Sequence, residues 1–418
     1  VFLLINNFLF LIPKTKSNLE TEFGSCLSQA EAILKQSGVD YDSVLQQTLF
    51  INARNNADFS AKRNMLRFTV HQSPAGMHIP ISVIAQPPAS GHQCAMELVF
   101  VHEPRGAFRL ERKCVAGALC TTVTQSNAKE MFVSGITCDY ALYDAASCAH
   151  NTFESMKRIL TAEGFTFSNI IRQWNYIEGI TDFSSGDNTA LQNYHVFNNV
   201  RSLHYSNTLF ENGYPASTGI GTSAGGITID FIALKGDSEV DIRSIDNPRQ
   251  VSAYRYTHHV LGGQAEARLR RNESPKFERG KFVRMNGSCQ IFVSGTSAIR
   301  GQNSVSPDDA EGQTAAAIEN IMDLLSECNL SNHGIETNDH IFTLSHMRAY
   351  IKHRRDAVRV KRICEKYLPG VACLFLISDI CRKDLLVELE GMAECHSRGT
   401  HSPRRQLFNS RRLKYEQH

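Results

Sequence analysis

What this sequence has little of narrows its function first. It carries almost no net charge: 44 lysines and arginines face 42 aspartates and glutamates, for a formal +2. That removes the electrostatic footprint expected of a nucleic-acid binder. No apolar run is long enough to cross a bilayer. The nearest, VFLLINNFLFLIP at residues 1–13, is short and interrupted. It lacks a leading basic region and a small-residue cleavage site, and it reads as a truncated or over-extended frame as readily as a signal peptide. Twelve cysteines contain no CxxC pair and no zinc spacing. They read as reduced thiols of a cytoplasmic protein, not as a disulfide framework. The glycines of Gly219-Ile-Gly221 and Gly225-Gly226 lack the strand–GxGxxG–helix setting of a dinucleotide site. His258-His259 has no third ligand placed by spacing, so it reads as structural or surface. What remains is a 418-residue globular chain, 42% hydrophobic and 21% charged, long enough for two domains.

Residues 14–44 are polar with a weak helical pattern. Residues 45–130 alternate in short runs, such as Leu66-Arg-Phe-Thr-Val70 and Met96-Glu-Leu-Val-Phe-Val101, and read as strands and hairpins. From Met131 the order becomes regular. A buried strand ends in Phe132-Val-Ser-Gly135, and a helix carries Ala149, Phe153, Met156 and Leu160, closed by Gly164. A strand follows at 170–177, a helical stretch at 193–203, and two strands at 214–221 and 227–234. This order repeats. Phe292-Val-Ser-Gly295 lies 160 residues beyond Phe132-Val-Ser-Gly135, and Thr314, Ile318, Ile321 and Leu325 match the first helix at an offset of 165. Two homologous domains follow from this repeat.

The repeat gives meaning to Ile377-Ser-Asp-Ile-Cys-Arg-Lys-Asp-Leu-Leu-Val-Glu-Leu-Glu-Gly391. Alternation points Leu386, Glu388 and Glu390 to one side of a strand. Two carboxylates there suit a wet edge strand, or chemistry. In the alignment Glu390 falls over Asp230, whereas Glu388 falls over Thr228. One acid is kept by both copies and the other is not, which makes Glu388 the candidate general acid: burial at the end of an apolar run would keep its carboxyl partly protonated. The alternative is a carboxylate paired with Arg382. Tyr194 and Arg201 share a helix face two turns apart and suit carboxylate recognition, although a surface helix can hold such a pair without function. Cys381 is a small buried filler, or a thiol acidified by Arg382.

Taken in order, Arg172-Gln-Trp-Asn-Tyr-Ile177, Tyr194-His-Val-Phe…Arg201, Asn247-Pro-Arg-Gln-Val-Ser-Ala-Tyr-Arg-Tyr256, Phe292-Val-Ser-Gly-Thr-Ser-Ala-Ile299 and Cys381-Arg-Lys-Asp-Leu-Leu-Val-Glu-Leu-Glu390 resemble the chorismatases over residues 60–395. The resemblance implies an α+β fold of two tandem RidA/YjgF-like (chorismate mutase-like) domains, each a mixed sheet packed by helices. The boundaries read as an N-terminal extension at 1–44, a first domain at 45–243, a link at 244–274, a second domain at 275–397 and a basic tail at 398–418. It also implies a cofactor-free and metal-free pocket for chorismate between the domains, in a protein with no nucleic-acid or membrane partner, monomeric or trimeric. Glu388 would protonate the enolpyruvyl methylene. Tyr194, Arg201, a tyrosine at Tyr254 or Tyr256, and an arginine near Arg359 would hold the carboxylates and hydroxyl. Cysteine at the Cys381 position goes with hydroxybenzoate formers, and an aliphatic residue with dihydroxycyclohexadiene formers, which favours 3-hydroxybenzoate plus pyruvate. The sequence departs from the family where Tyr256-Thr-His-His-Val and a basic insert through Arg271 precede Pro275-Lys-Phe-Glu-Arg-Gly280. A RidA-like imine deaminase and a non-catalytic metabolite-binding protein remain as rival expectations.

Overall fold

A computed structural model describes residues 6–72, 78–101, 108–125, 127–183, 191–257, 272–285, 287–338 and 340–397. His258-His259, the basic insert through Arg271 and the tail at 398–418 lie outside them.

The middle of the chain forms a six-stranded sheet from β5 (Arg109–Val115), β6 (Ala118–Thr124), β7 (Ala128–Cys138), β8 (Ile170–Glu178), β9 (Ala216–Thr222) and β10 (Ile227–Gly236). These strands, numbered along the whole chain, stand in the order β5-β6-β7-β10-β8-β9, with β8 and β9 parallel. Helices α3 (Ala145–Ala162) and α4 (Asn193–Tyr205) cover its outer face. Asp144 caps α3 by accepting from the Ser147 amide at 2.7 Å. Gly164, at φ +74°, ends it as the spacing predicts, and the Phe165 amide returns to the Leu160 carbonyl. The buried face of α3 includes Ala149, Phe153, Met156 and Leu160.

The C-terminal sheet repeats this plan. Its strands are β11 (Asp241–Ile245), β12 (Gly280–Met285), β13 (Ser288–Ser297), β16 (His340–Ile351), β17 (Ala372–Ile377) and β18 (Val387–Ser397), in the order β11-β12-β13-β18-β16-β17. A small hairpin of β14 (Ile299–Arg300) and β15 (Asn303–Ser304) follows β13. Helices α5 (Ala310–Leu324), α6 (Glu327–Asn332) and α7 (Ala357–Tyr367) complete the unit. In both sheets the last strand inserts between the third and fourth, and the fourth and fifth run parallel. The repeat seen in the sequence is therefore a repeat of topology. This unit opens at β11, so most of the stretch expected as a link between domains, 244–274, instead lies in the connection between its first two strands.

The remaining residues hold a third sheet that the sequence reading did not separate. It comprises β1 (Asn6–Leu11), α1 (Leu19–Gln36), β2 (Val44–Ile51), α2 (Asn56–Gln72), β3 (Ile81–Ile84) and β4 (Cys94–Val101), with strand order β1-β4-β2-β3. This is the same plan without its first hairpin: β4 inserts between β1 and β2, and β2 and β3 run parallel. A boundary at residue 45 cuts through β2. Residues 66–70, expected as a strand, belong to α2. Phe59, Leu66 and Val70 are buried at helical spacing, whereas Phe68 is 65% exposed, so the helix period wins over the short alternation.

The three sheets turn their inner faces to one another. A single apolar cluster gathers Phe50 and Val99, Trp174 and Ile232, and Tyr350 and Met392 from the three units. The ring closes on itself, because β3 packs on β7 and β10, β9 on β13, and β17 on β1. Register makes Glu97, Asp230 and Glu390 equivalent, opposite Thr48, Trp174 and Arg348. Two residues earlier on the same three strands stand Ala95, Thr228 and Glu388.

Candidate active site

Of those three equivalent positions, Glu388 alone carries a carboxyl. Its strand, β18, lies inside the sheet between β13 and β16, which excludes the edge-strand alternative. Glu388 pairs across the ladder with Ser297 on one side and Tyr350 on the other. Its side chain faces a cleft of about 310 Å³ between the middle and C-terminal sheets, a size suited to a small organic ligand. The Ser297 hydroxyl donates to its Oε2 at 3.0 Å. Glu388 is only 4% exposed. Burial, helped by the nearby Glu390 charge, pushes its carboxyl up to about 8 against the pull of Ser297 and of the Arg172 and Arg279 charges. Among the described residues no basic side chain forms an ion pair with it. Arg382, the partner expected on the alternative reading, instead donates to the Gln302 carbonyl at 2.8 Å and lies 5.4 Å from the Tyr256 ring centre.

Glu390 has a different environment. It accepts from Trp174 at 3.0 Å, Tyr350 at 2.8 Å and Arg348 at 3.1 Å, and also from Arg172 and Thr218. These contacts hold its carboxyl below the usual range despite burial, chiefly through Arg172 and Arg348. Two acids on one strand face are thus separated chemically: Glu390 is a paired anion inside the ring, and Glu388 is an unpaired acid at the cleft.

Four of the six site residues expected from sequence meet at this cleft: Glu388, Cys381, Tyr194 and Tyr256. Tyr194 enters from the start of α4, and Gly219 on β9 makes room for it, since a Cβ there would stand 3.0 Å from its Cε2. Tyr256, not Tyr254, reaches the cleft; Tyr254 packs on Tyr214 at 5.5 Å between ring centres. Arg201 lies buried behind Tyr194, donates to Asn198 and stands 5.6 Å from the Phe197 ring. Arg359 is not at the site: it is exposed on α7. Cys381 does line the cleft, but its thiol is pushed up to about 12 by burial, with the Glu388 charge adding to that and Arg382 opposing it, so the acidified-thiol reading is overturned.

The sequence reading missed Arg279. It precedes β12, is 3% exposed, and donates to the Tyr256 hydroxyl at 2.6 Å and the Val251 carbonyl at 2.7 Å. Its Nε, buried, has no hydrogen-bond acceptor among the described residues. Tyr256 therefore sits between two guanidinium groups, Arg279 and Arg382. A fixed arginine beside a protonated acid can bind a carboxylate without ionising that acid.

This geometry can be set against known proteins. Residues 108–233 match the family described as chorismatase FkbO/Hyg5-like, N-terminal. That segment is less than half of the chain, and over it the chain is similar to the chorismatases. It is 32% identical over 236 residues to a protein named 3-hydroxybenzoate synthase from Streptomyces hygroscopicus, covering 55% of this chain and 65% of that one. A protein named chorismatase from the same organism is 31% identical over 229 residues, covering 53% and 61%. The chain thus spans just under two thirds of the length of these curated relatives. A solved chorismatase structure superposes with a TM-score of 0.64 at 22% identity, over 94% of this chain and 99% of that one. The fold is therefore that of the solved chorismatase, an α+β fold, here with two repeated six-stranded units and a third, shorter unit before them. The chorismatase segment at 108–233 includes Tyr194 and Arg201 and ends before Arg279 and Glu388. Among the described residues no helix is long and apolar enough to cross a membrane.

Proposed function

We propose that this protein is a chorismatase that takes chorismate and releases pyruvate together with a benzoate-type product, 3-hydroxybenzoate. The observation that carries this reading is Glu388: a carboxyl at the cleft, buried, without an ion-pair partner among the described residues, and raised to about 8. A general acid of that kind is protonated at neutral pH and can donate to a carbon that ordinary water protonates slowly. Glu388 protonates the enolpyruvyl methylene. The ether carbon becomes an oxocarbenium centre. For 3-hydroxybenzoate the ring C–O bond then breaks with its electron pair passing to the ether oxygen, which leaves as the ketone oxygen of pyruvate. The neighbouring ring hydroxyl bonds to the vacated ring carbon, and a ring proton is lost as the ring becomes aromatic. Arg279 and Arg382 supply positive charge for the substrate carboxylates, and Tyr194 and Tyr256 supply directional hydroxyls. Formation of 3-hydroxybenzoate consumes no net water, whereas formation of the dihydroxycyclohexadiene carboxylate consumes one. The names of the relatives favour the first product. The test is direct: purified full-length protein is incubated with chorismate, pyruvate is assayed, and the products are separated. Absence of pyruvate at high enzyme concentration would refute the reading.

Two substitutions probe the cleft. A Cβ added at Gly295 would stand 2.2 Å from Glu388 Oε1 and 3.2 Å from Thr218 Cγ2. The nearer atom is the end of a side chain, so the fold can absorb the change by moving the carboxyl. Gly295→Ala is expected to keep its melting temperature within a few degrees and to lose roughly 10²-fold in kcat, the loss typical of an approximately 1 Å misplacement. Retained kcat would show that the position of Glu388 is not critical. Cys381→Val is expected to move the product ratio toward the dihydroxycyclohexadiene carboxylate, as read by chromatography of the acids. Since the thiol is neutral, its influence on that ratio is one of shape and weak hydrogen bonding, not of charge. An unchanged ratio would remove Cys381 from product control.

A further inference from the structure

The twelve cysteines, free in this structure, are not scattered at random. Eight of them stand as four pairs of neighbouring thiols: Cys26 with Cys94, Cys138 with Cys148, Cys289 with Cys395, and Cys364 with Cys373. In three pairs a helix residue meets a strand residue, and in each at least one partner is buried. Buried structural thiols of this kind are inert toward solution oxidants. The pair Cys289 and Cys395 differs on both counts.

Cys289 is the second residue of β13, and Cys395 lies two residues from the end of β18. Cys289 and Cys395 are each the next residue beyond the Gln290–Glu394 pair that ends the antiparallel ladder, and their thiols are neighbours. Directly opposed residues on antiparallel strands have Cα atoms about 4.5–5.5 Å apart. A disulfide accepts Cα separations of about 4.4–6.8 Å, a range that includes facing residues of neighbouring antiparallel strands. Both residues are partly exposed. The Cys395 contact and burial push the Cys289 thiol up, so Cys395 is the thiolate of the pair; Arg284, opposite Cys289 on the other flank and held by Asp241 at 3.1 Å, only partly opposes that rise. Phe342 is opposite Cys395 on β16. The pair lies on the helix-facing side of the sheet, since Cys289 packs with Leu389 and Ala393, and away from the face that carries Glu388.

We propose that Cys289 and Cys395 form an oxidation site that closes to an intrachain disulfide when a low-molecular-weight disulfide such as glutathione disulfide is supplied. The Cys395 thiolate, which its contact with Cys289 favours, attacks one sulfur of the small disulfide and releases one equivalent of the small thiolate. Cys289 loses its proton to solvent and attacks the Cys395 sulfur of the mixed disulfide, releasing the second equivalent. Two protein thiols are oxidised by two electrons, and one small disulfide is reduced to two thiols. The bond joins the two strands that, further along, carry Ser297 and Glu388.

The test uses the intact chain. It is incubated with glutathione disulfide under native conditions, the remaining thiols are alkylated, and proteolytic peptides are weighed. The expected result is a linked peptide containing Cys289 and Cys395, lighter than the sum of its parts by two hydrogens, and loss of two alkylatable thiols. Dithiothreitol is expected to restore both. The oxidised protein is expected to melt several degrees above its reduced form, because the bond closes a loop of more than 100 residues in the unfolded chain. Cys395→Ser is expected to leave Cys289 fully alkylatable after the same treatment. The proposal fails if both thiols remain alkylatable in the native protein, if Cys395 retains glutathione while Cys289 stays free, or if Cys289 links elsewhere. None of these readouts depends on chorismate turnover.

Discussion

Replacing Glu388 by glutamine is expected to lower the rate of pyruvate release from chorismate by roughly 10²–10⁴-fold and to leave the fold intact. Glutamine keeps the shape of the side chain and can still accept from Ser297, but it has no carboxyl proton to give. The size of the effect follows from the carboxyl's setting. A carboxyl at about 8 is about ten to one in its acid form at pH 7, whereas one at its ordinary value of about 4.3 is protonated in roughly 1 molecule in 500. Burial thus increases the reactive form several hundredfold. The sign of the pH dependence is then fixed. The acid form is the working form, so the wild-type rate is expected to hold below about pH 8 and to fall as pH rises through that value. Initial rates across that range, beside a melting curve for each variant, check both statements. A Glu388→Gln protein with full turnover would remove the general-acid assignment, whatever the pH profile of the wild type.

Arg348→Met is expected to destabilise the protein by about 3–5 kcal/mol, the cost of breaking a buried ion pair on one side only. Arg348 is 4% exposed and joins all three sheets. It donates to Glu97 of the N-terminal sheet at 2.7 Å, to the Tyr176 hydroxyl of the middle sheet at 2.9 Å, and to Glu390 of its own sheet at 3.1 Å. Without it Glu390 keeps Arg172, but Glu97 loses the cation that its carboxylate faces. The double variant Arg348→Met with Glu97→Leu removes both charges and is expected to recover much of the loss. Denaturant titration of the two variants and the parent measures this. A single-variant cost below about 1 kcal/mol would show that water reaches the network.

The split between Glu388 and Glu390 was legible in the sequence because it depends on register within one strand. Alternation sets the face, and the repeat sets the comparison with Thr228 and Asp230. For Tyr194 the spacing located the helix, but its place at the site came from the resemblance and not from the period. Arg279 was not legible, because its role arises where the long connection between β11 and β12 passes beside the middle sheet, bridging Glu278 to Ala216, and no local period encodes such an approach. Arg359 came from the resemblance alone, not from any feature of its own neighbours, and it falls on an exposed helix face. The N-terminal sheet escaped because its strands share topology with the other two and no motif. Ala95 and Glu97 stand where Thr228 and Asp230 do, yet nothing in the surrounding residues announces the match.

The closed ring of three units also determines how the site responds to dilution. A ring assembled from separate chains falls apart when the chains become scarce. Here the partners that form the cleft are tethered, so each finds the other at an effective concentration set by the polypeptide and not by the amount of protein in solution. Specific activity should therefore be independent of enzyme concentration. The cleft at Glu388 is lined by residues of one chain, and the equivalent positions of the two other units carry Ala95 and Thr228.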